Sequence, residues 1–431
     1  METMKPKQIE EVLQPKFEAK TATIRGWVYR KRTMKGKVFL VIRDSTDIIQ
    51  VVINENSKAW EAAQKITMES SCYITGKVRK DGRAPTGYEM DATKIEIVGL
   101  ADTFPIARDL SEDFLLSVRH LSIRSQKITA ALKIRSTVTE AIHEFYRREG
   151  YFEVQSPTFT VAACEGGSTL FPVDYFGKKV YLSQSWQLYA EAMIQALEKC
   201  YCIAPSFRAE KSRTTRHVTE FWHHEMEAAW MDFDEMLKVQ EKCVAFICQK
   251  VAKDRAKELK IFGRDPKYFA SVKAPFKRLT YTKALELLAK KGVKLKWGAD
   301  LGTKEEKILS MEVKKPFFIV DYPVAAKAFY VKQSKKDPKV ALSADMMLPE
   351  GYGEVTTGGQ REEDIKVIME RLKRDKLDPK DFQWYLDLRR FGTVDHSGYG
   401  LGVGRLVRWI CKVDHIRDVI PFPRTMNRFY P

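Results

Sequence analysis

Residues 206–230 read SFRAEKSRTTRHVTEFWHHEMEAAW: a strand start, a charged loop, and a second run whose aromatic and apolar positions suit a strand. Arginines and carboxylates so close together are what phosphate recognition by side chains requires. The backbone alternatives are missing, because no G-x-x-x-x-G-K-[ST] and no G-x-G-x-x-G after a strand occurs, so neither a P-loop nor a Rossmann site is expected. Two further stretches carry the same mixture of charge and apolar residues: SADMMLPEGYGEVTTGGQRE (343–362) and GYGLGVGRLVRW (398–409).

Around them, helical spacing is found near 187–199, 233–260, 281–291 and 361–375, alternating with strand-like KVYLSQ, EFWHHEMEAAWM and PFFIVDYP. KITAALKIRSTVTEAIHEFYRREG adds a long amphipathic helix that ends at Gly150. The mixture lacks a regular βαβ rhythm and predicts an α+β domain over 126–431. Before it, residues 21–100 hold short β-branched stretches (TATIRGWVYR, KVFLVIRD, DIIQVVI, SSCYITGKV, GYEMDATKIEIV) at close spacing. Five such strands predict an OB-fold β-barrel within 1–103, a fold that binds oligonucleotides across one face. Residues 104–125 read as a hinge.

The 431 residues suit two or three domains, and no apolar run approaches the roughly 18 residues of a membrane span. METMKPKQIEEVLQPKFEAK has no apolar core of a secretory signal, so a cytoplasmic protein is expected. The seven cysteines lack C-x-x-C spacing, which argues against a disulfide framework or a structural zinc site. With 74 Lys+Arg against 57 Asp+Glu, the net +17 suits a polyanionic partner, since phosphate neutralisation releases counterions.

GYFEVQSPTF (150–159), FRAEKSRTTRHVTEFWHHEMEAAW and GLGVGRLV resemble motifs 1, 2 and 3 of class II aminoacyl-tRNA synthetases. Their order behind an OB barrel is similar to the aspartyl/asparaginyl/lysyl subgroup, at archaeal-type length, over essentially the whole chain. The resemblance implies a catalytic domain built on an antiparallel sheet flanked by helices, and a homodimer formed through motif 1. It implies ATP binding by Arg208 (α-phosphate and amino-acid carboxylate), Glu210, Phe221 (adenine stacking) and Arg405 (γ-phosphate). Asp345 and Glu354 match the carboxylates that hold Mg²⁺, which prefers hard oxygen ligands. Catalysis of this kind is mostly positioning and charge stabilisation, centred on Arg208 and Arg405.

For the amino acid, the resemblance assigns Glu165, Ser185, Gln187, Glu225 and Arg361. Arg361 matches the arginine that grips the side chain in aspartyl and asparaginyl enzymes, which excludes lysine; Ser185 and Gln187 match positions holding the α-amino group. Aspartyl enzymes add a lysine after Q-S-x-Q-L, where QSWQLYAEA has Ala190, and an aspartate where this chain has the longer Glu225. One cation fewer and an acceptor within reach of an amide NH₂ point to ligation of asparagine to tRNA(Asn) through an asparaginyl-adenylate, with aspartate rejected. VTTGGQR leans towards aspartyl enzymes, and that reading stays open.

In the barrel, Phe39 and Gln50 match an aromatic that stacks an anticodon base and an amide that reads its edge, with Glu89 a third contact. Alternation along KVFLVIRD leaves open whether Phe39 faces out or into the core. One position departs from the subgroup: motif 3 carries an acid before its arginine, whereas here Gly404 precedes Arg405. Glycine there is expected to loosen the helix start that aims Arg405, so a catalytically degenerate paralogue that binds tRNA also stays open. A paralogue that amidates aspartate would lack the barrel, and residues 1–103 argue against it.

Overall fold

The structure is a computed structural model that describes residues 5–106, 110–161, 163–164, 169–212 and 214–431. The chain divides into two compact units, one up to Leu115 and one from Leu116 onward.

In the first unit, β1 (Thr21–Met34), β2 (Lys37–Arg43), β3 (Ile48–Asn54), β4 (Ser71–Lys80) and β5 (Tyr88–Gly99) close a barrel in the order β1-β2-β3-β5-β4. A helix, Trp60–Lys65, sits between β3 and β4. Alternate side chains go inward, as period-2 geometry requires: Val38, Leu40 and Ile42 are fully buried, whereas Phe39 and Val41 between them are partly exposed. Phe39 therefore belongs to the outer face, which settles the open orientation.

The second unit is built on an eight-stranded sheet. Its strands are β6 (Phe152–Glu153), β10 (Lys199–Phe207), β11 (Glu220–Ala229), β12 (Lys277–Thr280), β13 (Phe317–Val320), β14 (Ser343–Leu348), β15 (Gly353–Gln360) and β16 (His396–Gly402), in the order β12-β13-β14-β15-β16-β11-β10-β6. The centre is antiparallel as expected, but both edge pairs, β12–β13 and β6–β10, are parallel. A parallel pair needs a long crossover, and between β12 and β13 the helices Tyr281–Lys290 and Thr303–Met311 supply it. Strands β7 (Phe159–Thr160), β8 (Pro172–Tyr175) and β9 (Lys178–Leu182) form a separate small sheet.

Helices Gln126–Arg148 and Phe233–Asp254 bury Ile134, Val138, Ile142, Val244, Ile247 and Val251 in one core with Met226, Met346 and Leu401 of the sheet. Asp232 and Glu235 form a reciprocal capping box at the start of the second helix. The 104–125 segment read as a hinge contains two short helices, Glu112–Ser117 and Arg119–Ser122. Arg119 is buried and donates to the carbonyl oxygens of Arg417, Ile420 and Pro421 at 2.7–3.1 Å. Helices of one to two turns leave too little periodicity to be read, and the partners that hold this one lie some 300 residues away.

Candidate active site

A cavity of about 340 Å³ opens on the sheet of the second unit, over β11 and β16. Period-2 alternation sends Phe221, His223, Glu225 and Glu227 of β11 to its side. The neighbouring strand answers with glycines: a Cβ on Gly398 would stand 2.0 Å from Glu227 Oε2, and one on Gly400 2.4 Å from His223 Nε2. Bare backbone on β16 is thus what lets the β11 side chains lie across the floor.

At one end, cations and carboxylates interleave. The Arg208 guanidinium lies 5.5 Å from the Phe221 ring centre, and Glu210 stands 3.7 Å from His217 Nε2. Arg405 Nη1 donates to Glu354 Oε1 at 2.8 Å. Burial alone would raise the Glu354 carboxyl, but Arg405 first, then Arg216, Lys327 and Arg208, hold it down at about 2. Lys327 Nζ donates to both oxygens of Asp345 at 3.0–3.1 Å while lying 3.8 Å from the Tyr322 ring centre. Burial and the nearby Glu354 push the Asp345 carboxyl up against that ammonium. A buried and a half-buried carboxylate that repel one another among several cations are a donor set that suits a hard divalent ion. Arg216 is clamped by Glu306, which also accepts the Glu354 backbone N–H at 2.8 Å.

At the other end, Arg361 donates Nε and Nη2 to the two oxygens of Glu227, each at 2.8 Å. Burial disfavours both charges, and each supplies the other's compensation. Behind them Glu191 takes Arg389, His396 and Tyr385. The acceptor beside Arg361 is therefore Glu227, whereas sequence reasoning placed Glu225 there. Register explains the difference: Glu227 and Gly359 both pair with Gly398, so Arg361, two positions beyond Gly359, reaches back to Glu227, whereas Glu225 lies level with Thr357, four positions away. Glu225 instead accepts from the Ser185 hydroxyl and from the Trp186 backbone N–H at 2.8 Å. Gln187, also on the cavity wall, donates from Nε2 to Glu191 at 3.0 Å. Ala190 is fully buried with Trp186, Ile194, Cys200 and Cys202.

Thus Arg208, Glu210, Phe221, Ser185, Gln187, Glu225, Asp345, Glu354, Arg361 and Arg405 all line one cavity. Glu165 lies outside the described residues. Phe39, Gln50 and Glu89 belong to the barrel: Gln50 Nε2 donates to Glu89 at 2.7 Å, the two face each other across β3 and β5, and Arg79 pairs with Glu89. Gly404 is the second residue of the helix Val403–Ile410, and a Cβ there would stand 3.1 Å from Ile416 Cδ1. Arg405 is held by Glu354. Sequence reasoning missed Arg216, His217, His223, Glu227, Lys327 and Glu306. The first four stood in the quoted 206–230 stretch, two of them, His223 and Glu227, on its alternating strand face and two, Arg216 and His217, in the loop before it; Lys327 and Glu306 gave no local signal.

Residues 111–426 match the model for class II tRNA synthetases (D, K and N), and residues 22–98 match that for the OB-fold nucleic acid binding domain. An asparagine–tRNA ligase of Thermococcus gammatolerans is 47% identical over 97% of this chain and 98% of its own; that of Pyrococcus furiosus is 46% identical over 97% and 98%. The crystal structure of asparaginyl-tRNA synthetase from Pyrococcus horikoshii complexed with asparaginyl-adenylate superposes with a TM-score of 0.95 at 45% identity, covering 100% of both chains. An aspartyl tRNA synthetase from Entamoeba histolytica reaches 0.85 at 27% identity over 100% and 93%.

Proposed function

From the premise that the chain belongs to the class II tRNA synthetases of the D, K and N group, we propose that it joins asparagine to tRNA(Asn) at the expense of ATP, in two steps through asparaginyl-adenylate. The observation that carries the choice of amino acid is the Arg361–Glu227 pair on the cavity floor. A guanidinium donates to the side-chain carbonyl of asparagine, and a carboxylate accepts from its NH₂. Aspartate would set a second carboxylate against Glu227 without a proton between them, which a buried site rejects strongly.

Glu225 and the Ser185 hydroxyl hold the α-ammonium, two residues along β11 from the side-chain pair, and Gln187 turns from Glu191 towards it. Adenine stacks on Phe221; Arg208, Arg216, Lys327 and Arg405 surround the triphosphate. Asp345 and Glu354 would hold Mg²⁺, which offsets the charge on the β- and γ-phosphates. Arg208 steadies the α-phosphate as the asparagine carboxylate attacks it in line and pyrophosphate leaves. No side chain need act as a base in that step, because the attacking carboxylate is already ionised; Arg208 and Arg405 stabilise charge and position.

The barrel within residues 1–103 reads the anticodon, with Phe39 stacking a base and Gln50, held by Glu89, reading an edge; residues 126–431 do the chemistry. A cytoplasmic homodimer fits the same reading: Phe152, Phe159, Val161, Tyr175 and Phe176 are exposed on the motif 1 strand and the small sheet, an apolar surface that a second subunit would cover. The deciding experiment is ATP–pyrophosphate exchange with asparagine and aspartate in parallel. Exchange with asparagine alone is expected, and exchange with aspartate would overturn the assignment.

A further inference from the structure

We infer that His223 accepts the proton of the terminal tRNA hydroxyl in the second step, a role that rests on the reading above. The argument is one of spacing. Successive same-face residues on a strand lie roughly 6.5–7 Å apart, and on β11 the order Phe221, His223, Glu225, Glu227 runs along the cavity. With adenine on Phe221, the α-ammonium on Glu225 and the side-chain amide on Glu227, the position left to residue 223 is beside the bond that joins the acyl group to the phosphate. That bond is the one the second step breaks.

The imidazole is held for such a task. Its edge packs against the Phe221 ring with centres 5.5 Å apart, and Nδ1 faces Glu225 Oε1 at 3.6 Å. Nε2 lies over Gly400, in the space that a side chain there would fill. A carboxylate facing Nδ1 favours the proton on that nitrogen and leaves Nε2 as the acceptor. The charged group facing the ring is Glu225 on its own strand; the cavity that holds the ring is also lined by Arg208, Glu210, Arg216, His217, Glu227, Asp300, Lys327, Asp345, Glu354, Arg361 and Arg405.

In the step, the terminal ribose hydroxyl oxygen forms a bond to the carbonyl carbon of the mixed anhydride. The bond from that carbon to the phosphate oxygen breaks, AMP leaves with the electron pair, and the hydroxyl proton passes to Nε2 of His223. No oxidant or further reactant is required. Adenylate formation, by contrast, starts from a carboxylate and needs no such acceptor, so the two half-reactions should separate at this residue.

The test uses full-length enzyme, His223→Gln and His223→Ala. Adenylate is formed on the enzyme with asparagine and ATP, tRNA(Asn) is added, and a single turnover of transfer is followed across pH, with ATP–pyrophosphate exchange measured beside it. Transfer by both variants is expected to fall on the order of 100-fold, at least tenfold more than exchange falls, with the acid limb of the wild-type transfer profile lost. Transfer and exchange falling together would assign His223 a structural role, and transfer at the wild-type rate would remove it from the mechanism; either overturns the proposal. Absence of exchange with asparagine in the wild type would instead overturn the functional reading beneath it.

Discussion

Arg361, just past the end of β15, and Glu227 of β11 meet over the one strand between them, β16, with two parallel 2.8 Å hydrogen bonds, both side chains at least 95% buried. A bidentate pair of this kind fixes orientation as well as charge, and removing one partner leaves the other buried without compensation, at a cost of about 3–5 kcal/mol. Arg361→Ala is expected to abolish exchange with asparagine and lower stability by that amount, while tRNA binding by filter assay stays near the wild-type level. Glu227→Gln keeps the shape but removes the repulsion, so the asparagine-to-aspartate ratio in exchange should narrow on the order of tenfold, about 1.4 kcal/mol. An unchanged ratio would remove Glu227 from the recognition of the side chain.

Gly404 invites restoration of the family's acid, and the packing predicts that restoration alone fails. A Cβ at 404 meets Ile416 Cδ1 at 3.1 Å and Cγ1 at 3.2 Å, on a side chain that is itself buried. Overpacking of this kind costs about 1–3 kcal/mol. Gly404→Glu should melt below the wild type and exchange more slowly, and Ile416→Ala in the same chain should recover part of both. A single substitution that melts higher would contradict this account.

Phe39 lies on the outer face of the barrel between buried Val38 and Leu40. If it stacks a base, Phe39→Ala removes about 1–3 kcal/mol from tRNA binding. The expected result is a roughly tenfold or greater rise in KM for tRNA in aminoacylation with exchange unaffected. An equal loss in both assays would point to a damaged fold instead.

His217 gives a stability prediction. Burial first, then Arg405 and Arg216, depress its imidazole from 6.5 to about 4. The folded chain then refuses a proton that the unfolded chain accepts, so this contribution to stability is present above pH 6.5 and is lost as pH falls towards 4. Urea midpoints at pH 7 and pH 5 should differ less in His217→Gln than in the wild type; equal differences would show that His217 is not the group responsible. His224, buried and held down at about 3, contributes the same sign in both proteins.

The sequence made the architecture legible because patterning is local: five alternating stretches gave the barrel, and EFWHHEMEAAW gave β11. It also assembled the site's main residues, since the motifs carried them. What it could not supply was register. Glu225 and Glu227 share a face, and only the pairing of β11 with β16 and of β16 with β15 decides which meets Arg361. Glu306 was hidden for a similar reason: it sits in an ordinary helix of mixed charge, and its contact with Arg216 spans 90 residues.

The ion pairs Lys327–Asp345, Arg405–Glu354 and Arg361–Glu227 make the free enzyme resemble an ion exchanger already loaded with its own counter-ions. Each incoming substrate charge displaces or shares an existing partner, so binding is a swap between paired states and its net free energy is the small difference between them. Affinity for each ligand alone should then be modest, and the order in which metal, nucleotide and amino acid arrive becomes a property of which pair opens first.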